Sequence, residues 1–368
     1  MMNIIYIANA RFPNEKAHGI QFAKTCESFS KLGVNLELVL PKRKTKIKED
    51  PFSYYDIKNK FKYKKIWAPN FFPKTSLDFL LSSFIFGIRS FFYILRKKDS
   101  IIYSIDLDPV SFFLFSFLKQ PYFFEMHGPK KNNFLNRRLF KKIKGIIAIN
   151  EAVKNDLIKN FPYLKDKIII CSNGLDLLDL KENCGKEEAR KNLGIGFDKK
   201  VVVYTGSFQG WKGIETIIEA AKRLKEVLFY FVGGRKKGDF PENIYFMGMR
   251  NFKEMPLWRA VADVLIVTGT KNDDYSFFYT SPMKLFEYMG ARRPIIASRT
   301  PAIEQVVSDK EVFFHEADNP QDLANKIKFV FENKEEVNKK IESAYIKAGE
   351  YTWENRAKKI LKFIKEKI

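Results

Sequence analysis

Cysteine and histidine are the scarcest chemical resources of this chain. Three cysteines (Cys26, Cys171, Cys184) in 368 residues give neither a paired framework nor zinc-ligand spacing. They suit a reducing compartment. Only three histidines occur in the chain (His18, His127, His315). Acidic residues are also in deficit, 43 against 65 lysines and arginines, for a net charge of +22. No apolar run reaches the ~20 residues a spanning helix needs. The longest, Phe79–Leu95, has about 17, with Arg89 inside it and Arg96-Lys97-Lys98 after it. It reads as a packed helix or one touching a membrane surface. The N-terminal Met1–Ile7 lacks a basic leader region and reads as a first strand. No low-complexity or short-period repeat is present, and 45% hydrophobic residues exclude a disordered chain.

What is present is an alternation of strand-like apolar runs and helix-length segments. Ile4–Ile7, Val34–Leu40, Ile101–Tyr103, Tyr122–Glu125, Ile146–Ile149 and Lys167–Cys171 are continuous apolar runs, as expected of strands covered on both faces. Helices are expected between them, for instance Gln21–Leu32 and Asn150–Asn160, the latter capped by Asn150. The pattern restarts at Val201–Thr205 and continues through Val227–Val232, Ile244–Met247, Val264–Val267, Pro294–Ser298 and Val312–Phe314. This predicts two tandem Rossmann-like, doubly wound α/β domains, residues 1–180 and 181–350, joined through the polar stretch 179–194. An amphipathic helix over 351–368 follows. Ligands of such sheets bind beyond strand C-termini, so an interdomain cleft is the expected site. The first half holds 31 basic and 16 acidic residues, the second 34 and 27, so an anionic partner is expected on the first.

Five constellations could carry chemistry. Thr205–Gly213 follows a strand and opens a helix, with Gly206, Ser207 and Lys212 suited to an anion or simply to an ordinary βα turn. Thr280–Gly290 offers Ser281 as a cap, Pro282 in the first turn, free N–H groups after it, and Glu287 as an acceptor for ribose hydroxyls; a capped helix with a solvated glutamate fits equally. His127 follows a buried-looking strand, and His18 has a similar place after the first strand. The stretch Lys130–Lys144 holds seven cations and no acid, consistent with an interfacial helix or a solvated face. Asp106-Leu107-Asp108 has the look of a D-x-D metal site but lacks further ligands, so no metal is expected.

The order Glu125-Met126-His127-Gly128, Ser172-Asn173-Gly174, Gly206…Lys212-Gly213, Ser281-Pro282-Met283-Lys284-Leu285-Phe286-Glu287-Tyr288-Met289 and Pro294–Ser298 resembles the family-4 retaining glycosyltransferases, which have the GT-B fold. The resemblance spans essentially the whole chain. It implies that Lys212, with the Gly206–Ser207 backbone, holds the donor diphosphate. Ser281, Met283, Lys284 and Leu285 would cradle its distal phosphate at a helix start. Glu287 would bind the ribose, and Met249 and Arg250 would line the base pocket. His127 would lie beside the transferred sugar, and His18-Gly19 would form the acceptor-side loop. The terminal helix would return to the first domain. Tyr279 stands where the family's E-x7-E motif has its first glutamate. The arginine usually preceding the phosphate lysine is absent, leaving Arg235 or Lys284 to supply a second charge.

The expected activity is therefore transfer of a hexose from a nucleotide diphosphate sugar to a saccharide or lipid-linked acceptor, with retention and without metal or cofactor. The expected setting is cell-surface polysaccharide or lipopolysaccharide synthesis in the cytoplasm, with peripheral contact to an anionic membrane. A sugar-nucleotide 2-epimerase and a non-catalytic sugar-nucleotide binder are the competing readings. Nucleic-acid binding is suggested by charge alone, without a recognition helix or aromatic RNA signature, so no nucleic-acid partner is expected.

Overall fold

The computed structural model describes residues 2–69, 76–176 and 185–368; Cys184 and part of the 179–194 junction lie outside them. The chain forms two units, Met1–Ser172 with Trp353–Ile368, and Asn173–Thr352. The division thus falls at Ser172, and the last helix, Trp353–Lys367, belongs with the first unit.

Unit 1 is built on β1 (Asn3–Ala8), β2 (Asn35–Lys42), β3 (Lys62–Trp67), β4 (Ile101–Ile105), β5 (Tyr122–Met126), β6 (Gly145–Ala148) and β7 (Ile168–Ile170), in the order β3-β2-β1-β4-β5-β6-β7. Every pairing is parallel, for example Tyr6 with Leu38 and Tyr103. Unit 2 carries β8 (Lys200–Thr205), β9 (Val227–Val232), β10 (Ile244–Gly248), β11 (Val264–Val267), β12 (Ile295–Arg299) and β13 (Phe313–Glu316), in the order β10-β9-β8-β11-β12-β13, again all parallel. The two sheets are Rossmann-like, and strand order reverses between β1 and β4 and between β8 and β11.

The continuous apolar runs have the physical cause expected of them. Val202, Tyr204, Phe229 and Ile266 face helices Ile214–Ala221 and Pro320–Glu332 on one side of the second sheet. Val201, Val203, Tyr230 and Leu265 face Met255–Ala260 and Met283–Gly290 on the other. With both faces dry, a strand has no position for a polar residue. Asn150 caps its helix as expected, accepting from the Val153 N–H (2.9 Å).

Three features depart from the sequence reading. β3 was not anticipated: its sequence, Lys-Tyr-Lys-Lys-Ile-Trp, is mostly exposed at the sheet edge, where lysines discourage further pairing. The basic stretch 130–144 is helical only over Phe134–Lys142. The apolar segment begins earlier than Phe79, as the helix Ser76–Leu95, and by length and composition its Leu77–Leu95 portion is sufficient to cross a membrane.

Candidate functional site

In unit 2 the candidate residues assemble where β8 ends. Thr205 is buried, and both its N–H (2.8 Å) and its Oγ1 (2.9 Å) bond the Tyr288 hydroxyl. Tyr288 lies in the last turn of Met283–Gly290, so these bonds tie that helix to the strand end. Gly206 follows at φ +133° and donates to the Val232 carbonyl (2.7 Å). Gly233, at φ +124°, faces it; a Cβ there would stand 2.4 Å from the Gly206 oxygen. The two strand ends therefore touch backbone to backbone, as only glycine permits.

Lys284 reaches over this turn. Its Nζ stands 3.0 Å from where a Gly206 Cβ would be and 3.5 Å from the Tyr204 ring centroid. It is buried without a hydrogen-bond partner. Burial, then repulsion from Lys212, drives its pKa well below the ordinary lysine range against the pull of Glu287. Lys212 closes the turn Gly210–Lys212, whose last carbonyl accepts from Thr268 Oγ1 (2.6 Å). Its Nζ lies 3.6 Å from the Trp211 ring centroid, and burial brings its pKa down to about 8. Among the described residues Lys212 has no ion pair with a carboxylate. Beside it opens a cavity of about 360 Å³ whose lining includes Gly210, Trp211 and Thr270 and the carboxylates Glu215, Asp273 and Asp318.

Ser281 does not cap the helix. Its Oγ accepts from the Asn173 N–H (3.1 Å), and its carbonyl accepts from Asn173 Nδ2 (2.8 Å). Pro282 occupies the N-cap position instead of the first turn, and no side chain caps Met283, Lys284 or Leu285. The start of the helix keeps its partial positive charge facing outward. Glu287 Oε2 pairs with the buried Arg259 NH1 at 3.1 Å. Arg259 was not singled out from sequence; a cation inside the otherwise apolar Met255–Ala260 helix was the available signal. Ser207 and Met249 are exposed, and exposed Arg250 donates from Nε to the Met247 carbonyl (3.1 Å). Arg235 lies against Gly248. Tyr279 ends the wide helical turn Tyr275–Tyr279 just before Ser281.

In unit 1, His127 follows β5. Its Nε2 donates to Glu125 Oε1 (2.8 Å), and its Nδ1 stands 3.8 Å from Asp106 Oδ2. Burial would lower its pKa, but Asp106 and Glu125 outweigh this and raise it. Glu125 is fully buried and also accepts from Gln21 Nε2 (2.5 Å), Tyr103 Oη and Arg356 NH2 (2.5 Å). Burial alone would raise its carboxyl; Arg356, His127 and Tyr103 hold it down at about 2. This network, absent from the sequence reading, locks the last helix onto unit 1. His18 is the second residue of Ala17–Lys31. Desolvation, Lys16 and His127 push its imidazole down. A Cβ on Gly19 would come 2.5 Å from Tyr55 Oη, which itself bonds Asn14, so glycine lets the loop close. The two D-x-D carboxylates serve local contacts: Asp106 accepts from the His127 N–H (3.2 Å), Asp108 from the Ser111 N–H (2.7 Å).

Residues 199–333 match the family model Glycosyl transferases group 1. The fold is GT-B. An uncharacterized glycosyltransferase of Methanocaldococcus jannaschii, MJ1069, is 29% identical over 190 residues, 48% of this chain and 46% of that one. Bacillus subtilis TuaH, named for teichuronic acid biosynthesis, is 21% identical over 194 residues, 50% and 48% of the two chains. The chain spans about half the length of the curated relatives it matches. Among solved structures, Anabaena Alr3699/HepE in complex with UDP and glucose superposes with a TM-score of 0.76 at 15% identity, over 99% of this chain and 100% of that one.

Proposed function

We propose that this protein moves a hexose from a nucleotide diphosphate sugar to the hydroxyl of a saccharide or lipid-linked acceptor, with retention, in cytoplasmic assembly of a cell-surface polysaccharide. The observation that carries the reading is the pair of desolvated lysine side chains, Lys212 and Lys284, at the Gly206 turn beside an uncapped helix start. An anion relieves both at once. As the glycosidic bond breaks, negative charge grows on the departing diphosphate, and donors already aimed there need no reorganisation. Glu287, oriented by Arg259, accepts the ribose hydroxyls. Retention follows if the acceptor attacks from the leaving-group face and a departing phosphate oxygen takes its proton. His127, held between two carboxylates, contributes on the sugar side. The two lysines supply the positive charge, so the reading needs no metal, and chelator is expected to leave the transfer rate unchanged.

The test is a thermal-shift screen with UDP-, GDP- and ADP-sugars. A ligand at about 100 times its Kd adds about 2.7 kcal/mol of stability. One nucleotide class is expected to raise the melting temperature; a flat response to all three would sink the proposal. Incubating the donor alone separates the competing readings. An epimer would indicate a 2-epimerase, and binding without transfer to any acceptor a non-catalytic binder, a reading that Tyr279 in place of the motif glutamate favours.

A further inference from the structure

The helix Ser76–Leu95 is amphipathic in reverse. Its inward face is mostly small and polar: Asp78, Ser82, Ser83, Gly87 and Ser90 are buried at helical spacing. Asn9 Nδ2 donates to Ser83 Oγ (2.8 Å), and Arg43 donates to Ser82 Oγ (3.1 Å) and Ser83 Oγ (3.3 Å). Gly87 packs so closely on the Ser111 carbonyl that no Cβ would fit. Phe86 and Ile94 are buried among them, but the other large apolar side chains at both ends of the helix point the other way. Leu77 is 74% exposed and Phe92 56%, with Phe79, Leu80 and Leu81 exposed between them. A water-soluble surface helix carries the opposite pattern.

The apolar strip continues beyond the helix. Trp67 of β3 is exposed on one side. On the other, Phe84 stacks on Phe113 (centroids 6.2 Å apart), and exposed Phe117 and Phe134 extend the surface to Phe134–Lys142. Cations rim it. Arg89 lies 5.3 Å from the Trp67 ring, Arg43 4.9 Å from Phe79, Lys64 4.5 Å and Lys97 5.5 Å from Tyr93, and Arg138 4.2 Å from Phe117. Asp78, the sole acid between 76 and 98, is turned inward.

We propose that this strip is a docking surface for an anionic phospholipid bilayer, with the helix lying in the interface plane. The proposal does not depend on the transferase reading. Large aliphatic and aromatic side chains surrounded by lysine and arginine match a bilayer boundary, where the apolar face enters the acyl region and the cations meet lipid phosphates. Spanning is disfavoured although the length suffices. It would strip Asn9 and Arg43 from the serines and carry Asp78 and Arg89 into hydrocarbon.

The test is flotation of the full chain with vesicles of phosphatidylcholine alone or with about 30% phosphatidylserine, at ~0.15 M salt. The wild type is expected to float with the anionic vesicles. Replacing Leu77, Leu80, Leu81 and Phe92 together by glutamine should weaken binding at least about 30-fold. Replacing Arg89, Lys97 and Lys98 by glutamine should weaken it about 100-fold on anionic vesicles and little on neutral ones. All seven side chains are exposed, so unchanged circular dichroism and melting are expected. Failure of the wild type to float, or flotation of the four-residue variant as strong as wild type, overturns the proposal. So does retention in vesicles after alkaline carbonate, which would mean a spanning helix. A lipid-free dimer that the four-residue variant dissolves would assign the strip to self-association and overturn it as well.

Discussion

Lys212 and Lys284 lie in surroundings that favour the neutral amine, and this has a sign that can be measured. Lys212 titrates at about 8 in the folded protein against 10.5 ordinarily. Between those values the unfolded chain binds the proton and the unliganded native protein does not, so this residue makes stability rise with pH across that window. Affinity for a diphosphate moves oppositely, falling as pH passes about 8. Calorimetric titration with a nucleoside diphosphate from about pH 7 to about pH 9.5 should show the fall, and Lys212→Arg, charged throughout, should abolish it. A pH-independent wild-type affinity would remove Lys212 from the site. At fixed pH, Lys212→Ala and Glu287→Ala should each lower transfer by about 10²-fold or more. His127→Ala should lower transfer more than donor binding; equal losses would indicate a structural role only. Lys212 and His127 stood out in the sequence because each lies in a short segment after a strand, and Glu287 because it sits within a helix opened by Ser281-Pro282. Arg259 and Arg356 were not, since their carboxylate partners lie 28 and 231 residues away and only folding brings them together.

At the scale of elements, the legible strands were those whose both faces are buried, for composition alone then distinguishes them. β3 escaped because an edge strand can afford Lys62, Lys64 and Lys65 where a central strand cannot. The helix Lys186–Leu193 was read as part of a polar linker, since only Ala189 and Arg190 in it are buried. The helix Trp353–Lys367 was legible from its spacing, and Ile360, Phe363 and Ile364 pack in the first unit's core, each worth about 1.5–3 kcal/mol. Its hold also rests on the Arg356–Glu125 pair. Removing one partner of a buried pair leaves an uncompensated charge, so Arg356→Ala should destabilise by about 3–5 kcal/mol in urea unfolding. The pair has a pH signature. Glu125, held at about 2 against 4.5 ordinarily, contributes stability that is complete above about 4.5 and lost as pH falls through about 2. Arg356→Met should begin acid unfolding at higher pH than wild type, and coincident acid transitions would deny the pair this role.

At the scale of the whole molecule, the restart of the strand–helix pattern at Val201 announced two sheets, and the strand order within each reverses once, between β1 and β4 and between β8 and β11. The position of the division was harder to read, because Asn173 and Leu175 continue from β7 without a compositional break. There the Leu175 N–H donates to the Tyr351 carbonyl (2.9 Å), and Leu175 bridges Thr352 in parallel, so the outgoing and returning chain run side by side. The second unit is in this sense an insertion within the first. The order of synthesis then matters. A ribosome delivers Glu125 long before Arg356, and all of Asn173–Thr352 emerges between them. Until the final helix arrives, the first sheet holds a carboxylate destined for burial with its guanidinium partner still unmade. The later-encoded unit is thus the one able to mature first, and nascent chains should gain protease resistance over 173–352 before 1–172.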